Sequence, residues 1–132
     1  MKRDMELVRK LLLEIERLHI SYDLTNHDLV IENYDMYTIA YHCQIMFEKG
    51  LISSYKPIEV DGGIAGFRVG GLTWDGNDFL EKIRDNSVWH KTKETIKEKG
   101  LPLLIETIKE IANGFIAAAT QGAVDAIMKN GG

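Results

Sequence analysis

Residues 35–76 read DMYTIAYHCQIMFEKGLISSYKPIEVDGGIAGFRVGGLTWDG, and the punctuation inside that stretch sets the architecture. Ile39, Cys43 and Met46 recur at spacings of three and four, with Ala40 and Phe47 beside them, so residues 35–49 read as an amphipathic helix capped by Asp35. Glu48-Lys49-Gly50-Leu51-Ile52 ends that helix, because Gly50 takes the left-handed backbone without a Cβ penalty and Leu51 packs back on the last turn. Tyr55 to Val60 and Ile64 to Val69 then alternate as strands on either side of Asp61-Gly62-Gly63, a tight-turn signal. Pro57 removes one ladder donor, which assigns its strand to a sheet edge. Leu72-Thr73-Trp74-Asp75-Gly76 opens the next helix. Thr73 is its N-cap, Asp75 sits near the positive end of its dipole, and Trp74, Phe79, Leu80 and Ile83 form its apolar face.

Working outward, residues 4–18 carry Met5, Val8, Leu12 and Ile15 at helical spacing, widened by Leu11 and Leu18, with Asp4 as cap or first-turn acid. Leu29-Val30-Ile31, between Asn26-His27-Asp28 and Glu32-Asn33, reads as a short strand. Helix, hairpin, helix is the layout of a winged helix-turn-helix, although residues 19–34 leave little room for a second full helix ahead of the one at 35–49. The expected fold is therefore α+β: a winged helix-turn-helix-like domain over residues 1–86 and a helical C-terminal extension over 87–132. In the extension, a charged segment at 88–99 is interrupted by Gly100-Leu101-Pro102. A last helix from Leu103 to Met128 would be about 40 Å long. Ile105, Ile108, Ala112, Phe115, Ala119, Gly122 and Ala126 follow three-four spacing along it. Its second half is dominated by Ala and Gly, and Gly114 and Gly122 each cost about 1 kcal/mol of helix propensity. Such a helix gains its stability from packing, and the stripe through Ile105, Ile108, Ala112, Phe115 and Ala119 is the expected interface with a second copy or a protein partner, the alternative being that the helix folds back on its own domain. The charge-free run between Glu110 and Asp125 is shorter than the roughly 20 residues a bilayer span needs.

Composition narrows the partners. The chain has 132 residues, 45% of them hydrophobic, and a formal net charge of −4; its isoelectric point is near 5.5. A general binder of nucleic acid or anionic membrane normally carries a basic excess. Residues 19–50 hold a single base, Lys49, against Asp23, Asp28, Glu32, Asp35 and Glu48. The N-terminal Met1-Lys2-Arg3-Asp4 meets charge at once and lacks the apolar run of a secretion signal, so the expected location is the cytoplasm, with no membrane partner.

Sharper chemistry finds little support. Gly62-Gly63-Ile64-Ala65-Gly66 is followed by Phe67-Arg68, where a phosphate-binding loop requires Gly-Lys-Ser/Thr, and the dinucleotide-binding spacing is absent. His19, His27, His42 and His90 are scattered, Cys43 is the only cysteine, and it lies on the apolar face of its helix. The expectation is a non-enzymatic protein with no catalytic residue, cofactor or metal. If it binds DNA as a sequence-specific regulator, Tyr37, Thr38, Tyr41, His42 and Gln44 are the readers, with Lys56 and Arg68 on phosphate. The same residues would meet a protein partner in the competing reading, an interaction or regulatory module. Phosphate contact depends on Lys and Arg, which the helix at 35–49 lacks before Lys49, and this favours the protein partner.

Three segments carry a family likeness. They are Met1-Lys2-Arg3-Asp4-Met5-Glu6-Leu7-Val8-Arg9-Lys10; Ala40-Tyr41-His42 with Glu48-Lys49-Gly50-Leu51-Ile52; and Leu72-Thr73-Trp74-Asp75-Gly76 through Phe79-Leu80 to Arg84-Asp85 and Trp89. Together they resemble the bacterial and phage family known as domain of unknown function 2513, over about residues 1–110. The resemblance implies no activity; it is compatible with a regulator of phage or mobile-element origin. The tail after Gly114 lies outside it.

Overall fold

Asp4 turns its carboxylate onto the N–H groups of Glu6 and Leu7, at 2.9 and 3.2 Å, and the chain enters α1 (Met5–Leu18). The computed structural model describes residues 1–131. α1 buries Leu7, Val8, Leu11, Leu12 and Ile15. α2 (Met36–Glu48), capped by Asp35, packs against it and buries Ile39, Ala40, His42, Cys43 and Met46. The end of α2 is a full Schellman motif. Leu51 N–H donates to the Met46 carbonyl and Gly50 N–H to that of Phe47, both at 2.9 Å, with Gly50 at φ 81°.

β1 (Leu24–Thr25), β2 (Tyr55–Val60) and β3 (Gly63–Val69) form an antiparallel sheet in the order β1-β3-β2. Pro57 therefore lies on an edge strand, opposite Phe67. Asp61 and Gly62, at φ 50° and 81°, make the two-residue hairpin turn whose twist matches the strands. Leu24, Val69 and Tyr55 align in register across the sheet, and so do Thr25, Arg68 and Lys56 one position along, on the opposite face.

The strand expected at Leu29-Val30-Ile31 does not form; the third strand is Leu24–Thr25 instead. The Asp28 carboxylate accepts from Thr25 N–H at 2.8 Å, and Asp28 and Leu29 N–H donate to the Thr25 carbonyl at 3.0 and 3.1 Å. That turn carries the chain off the sheet. Leu29 and Ile31 still bury their side chains while Val30 stays exposed, so the β-branched run provides anchors without ladder bonds.

α3 (Trp74–Ile83) is tied to the end of α2. Thr73 Oγ1 accepts from Gly76 N–H at 3.0 Å, and the same hydroxyl donates to the Gly50 carbonyl. Thr73 N–H donates to the Leu51 carbonyl at 3.0 Å. Gly76 faces that carbonyl so closely that a Cβ would overlap it, which explains the glycine in Leu72-Thr73-Trp74-Asp75-Gly76. Trp74 does not join the apolar face: it is 82% exposed. At about 100° per residue it lies opposite the stripe of Gly76, Phe79, Leu80 and Ile83.

The chain divides into two compact units, Met1–Leu80 and the remainder from Glu81. In the second, α4 (Asn86–Glu98) starts at Asp85, whose carboxylate accepts from Val88 N–H at 2.9 Å. It ends in another Schellman motif, with Leu101 N–H on the Ile96 carbonyl, Gly100 N–H on that of Lys97, and Gly100 at φ 63°. α5 (Ile105–Gly131) packs on α4. Trp89, Thr92 and Ile96 of α4 and Ile108 and Ala112 of α5 are buried. From Ala117 to Asn130 every residue is exposed. The described residues are α+β, with five helices and one small sheet, and are compatible with a winged helix. Among the described residues no helix is long and apolar enough to cross a membrane.

Candidate functional site

The residues read as groove contacts separate into a buried clasp and an exposed surface. His42 belongs to the clasp. It is fully buried; its Nε2 accepts from Asp4 N–H at 2.8 Å, and its Nδ1–H donates to the Thr38 carbonyl at 2.8 Å. A donor on one ring nitrogen and an acceptor on the other set the tautomer. His42 thus joins the start of α1 to α2 and cannot reach a ligand, contrary to its expected role as a reader. Its spacing already carried the signal, since positions 39, 42, 43 and 46 form one helical stripe.

Tyr34 completes the clasp by donating its hydroxyl to the Asp4 carboxylate at 2.7 Å. That bond, with some desolvation, pushes the phenol up to about 12. Desolvation alone would raise the Asp4 carboxyl; the hydrogen bonds from Tyr34, Leu7 and Glu6 outweigh it and hold Asp4 below the ordinary carboxylate range. Lys10 Nζ lies 5.8 Å from the centre of the Tyr34 ring. Two of the segments that carry the family likeness, the first ten residues and Ala40-Tyr41-His42, meet here.

The exposed surface follows the outer face of α2. Tyr37 is 58% exposed, Tyr41 and Thr38 are half-buried, and Gln44 is exposed, with Phe47 and Glu48 at the end of the helix. Gln44 Nε2 donates to Glu48 Oε1 at 3.4 Å. From Asp35 to Glu48 there is no Lys or Arg. The hairpin places Lys56 directly opposite Arg68, both exposed. Neither has a carboxylate partner among the described residues. Ile58 and Val60 are exposed toward the hairpin tip.

Elsewhere the chemistry is sparse. An open cleft of about 320 Å³ in the first unit has Glu16, His19, Ser53 and Asn77 among its lining residues. No hydrogen bond links His19 to Ser53 among the described residues, so the nucleophile–base contact that covalent catalysis uses is not formed. Burial pushes the Cys43 thiol up to about 12, far from the thiolate a reactive cysteine needs. Among the described residues no group of three His, Cys, Asp or Glu is placed to hold a metal ion. Of the expected oligomer contacts, Ile108 and Ala112 are buried, Ile105 and Phe115 half-buried, and Ala119 exposed. The first part of that stripe is used within its own unit.

Comparison with known proteins gives a family without an activity. The family model described as "Hypothetical protein (DUF2513)" matches residues 2–102. A relative from Haemophilus influenzae, described as an uncharacterized protein, is 34% identical over 122 residues, covering 89% of this chain and 97% of that protein. No solved structure matches.

Proposed function

The chain belongs to this family of hypothetical proteins, and from that premise we propose that it is a non-enzymatic protein-interaction module, of regulatory type, on a winged-helix scaffold. One observation carries the reading: the outer face of α2 presents Tyr37, Tyr41, Gln44 and Phe47 with no cation. Exposed aromatic side chains without surrounding Lys or Arg match the core of a protein interface, where Tyr, Trp and Phe are enriched and charge is depleted. A surface that tracks phosphate has the opposite composition.

Sequence-specific DNA binding is the second reading, and Lys56 opposite Arg68 favours it. Like charges placed directly across a ladder destabilise it, and an anion between them would relieve the repulsion. Two cations give few phosphate contacts, so any duplex binding is expected to be weak and lost near about 150 mM salt. The two readings separate in one experiment: a partner identified from cell extract is purified and titrated against the protein, in parallel with duplex DNA. Protein interaction predicts that Tyr37→Ala with Tyr41→Ala weakens the partner at least about 10-fold, in the range of interface anchors, and that Lys56→Ala and Arg68→Ala leave it intact. Nanomolar duplex binding that survives physiological salt and disappears with Lys56→Ala and Arg68→Ala would replace this reading with the second.

A further inference from the structure

Thr73 caps α3 and Gly76 is pressed against the Leu51 carbonyl, but Trp74 between them is 82% exposed and takes part in no ring or cation contact among the described residues. An indole left in water forgoes the burial that a large aromatic side chain usually obtains. Leu72 before it and Asn77 after it both line the open cleft of the first unit, together with Glu16 and His19 from the end of α1 and Ser53 from the stretch after α2. Trp74 precedes Asn77 by three residues, the spacing that makes side chains neighbours on a helix surface.

The backbone behind the cleft is paired: Ser53 N–H donates to the Gly71 carbonyl at 2.9 Å and Gly70 N–H to the Ser54 carbonyl at 3.1 Å. Gly70 and Gly71 hold no positive φ; what they provide is space. A Cβ on Gly71 would lie 2.7 Å from His19 Nδ1, and one on Gly70 would overlap Ser53 Oγ, so either would push those side chains from where they lie. Neither the His19 ring nor Ser53 Oγ makes a hydrogen bond among the described residues. Asn77 Oδ1 is likewise free, while its Nδ2 donates to the Thr73 carbonyl at 3.0 Å.

An imidazole, a hydroxyl and an amide oxygen, beside the Glu16 carboxylate, make a set rich in acceptors, and no Lys or Arg lines the cleft. Phosphate and carboxylate ligands, which call for cations, are disfavoured. With Asn77 Nδ2 committed, the two-bond contact of an amide with a nucleobase edge is not open either. An ammonium group only donates, and would leave the donors of His19 and Ser53 unmatched. The set fits a neutral molecule with several O–H groups, each of which donates and accepts. Its volume of about 320 Å³ lies at the lower end of small-molecule sites. We propose that this cleft binds a neutral sugar ring, its C–H face against the Trp74 indole and its hydroxyls on His19, Ser53 and Asn77.

The cleft shares no residue with the outer face of α2, and its test needs no protein partner. Trp89 is 3% exposed, so of the two tryptophans only Trp74 reports on a ligand arriving from solvent. Full-length protein is titrated with glucose, N-acetylglucosamine and cellobiose, following intrinsic fluorescence and, independently, the amide NMR shifts of Gly70 and Gly71. At least one of these sugars is expected to give a saturable blue shift and matching amide shifts, with affinity in the millimolar range. Trp74→Ala and His19→Ala, read by NMR, should each weaken it at least about 10-fold, while Tyr37→Ala leaves it unchanged. Ser53→Ala, at an exposed position, should weaken it as well and serves if His19→Ala does not fold. No saturable response to any of the sugars, an affinity untouched by Trp74→Ala, or tighter binding of the cationic amine spermidine than of every sugar would each overturn the proposal.

Discussion

Two helices in this chain stop on the same four residues, Glu48-Lys49-Gly50-Leu51 and Glu98-Lys99-Gly100-Leu101, and the local geometry is the same at both. In each, the glycine takes positive φ and donates to the carbonyl three residues back, and the following leucine donates to the carbonyl five back. Their surroundings differ. Leu51 is 2% exposed and its carbonyl receives Thr73 N–H against the close-packed start of α3, whereas Leu101 is 42% exposed and leads through Pro102 into α5. One tetrapeptide thus encodes a helix stop at both places and a core contact at only one of them. The helix end is a backbone matter; the leucine's contribution depends on what the rest of the chain places over it.

The widest difference is expected in the leucines. Leu51→Ala removes a buried side chain and should cost about 3 kcal/mol, in the usual range for a core cavity. Leu101→Ala should fall within about 0.5 kcal/mol, as for an exposed position. Native-state hydrogen exchange, which resolves each unit separately, is the measurement; equal losses would mean that the two stops are packed alike after all.

The glycines should behave alike. A Cβ at Gly50 or Gly100 meets no atom within 4 Å, and both hold a left-handed backbone. Gly50→Ala and Gly100→Ala should therefore each destabilise their own unit by about 1 kcal/mol, the local cost of that conformation for an L-residue. A Gly50→Ala protein as stable as its parent would remove the argument for the left-handed cap, and a much larger loss at Gly50 alone would show tertiary strain there.

The smallest effect concerns helix starts. Asp85 caps α4 through Val88 N–H, whereas Asp4 caps α1 and also receives the Tyr34 hydroxyl. Because the folded state raises the Tyr34 phenol from 10.0 to about 12, the stability it contributes is complete below pH 10 and is lost as pH rises toward 12. Asp4 is shifted the other way, so its contribution is present above the ordinary carboxylate value and is lost as pH falls through the depressed one. Both groups are half-buried at the edge of the fold, so water screens the bond in part and the slopes should be shallow. Urea titrations across pH should show the alkaline decline in the parent and a flatter limb in Tyr34→Phe; identical limbs would mean that the bond contributes nothing.

The sequence by itself determined the elements whose signals are local. Caps at Asp4, Asp35 and Thr73, the Gly50 stop, the Asp61-Gly62 turn and the edge position of Pro57 are where their side-chain chemistry and backbone preferences put them, because each involves neighbours within a few residues. The helical spacing of α2 also made its apolar face legible. Only the tertiary structure decided what those elements face. The β-branched run Leu29-Val30-Ile31 forms no strand, since Leu24–Thr25 holds the free edge of β3 and the Asp28 turn diverts the chain. Trp74 points to solvent because Gly76, across the helix, is pressed against the Leu51 carbonyl. His42, polar and therefore read as exposed, is buried because the Thr38 carbonyl one turn back and Asp4 N–H, 38 residues away in the chain, satisfy both ring nitrogens. α5 turns one stripe to α4 and leaves another open because its partner helix is half its length. Periodicity shows that a face is apolar; which body covers it depends on elements far away in the chain, and no local pattern encodes their reach.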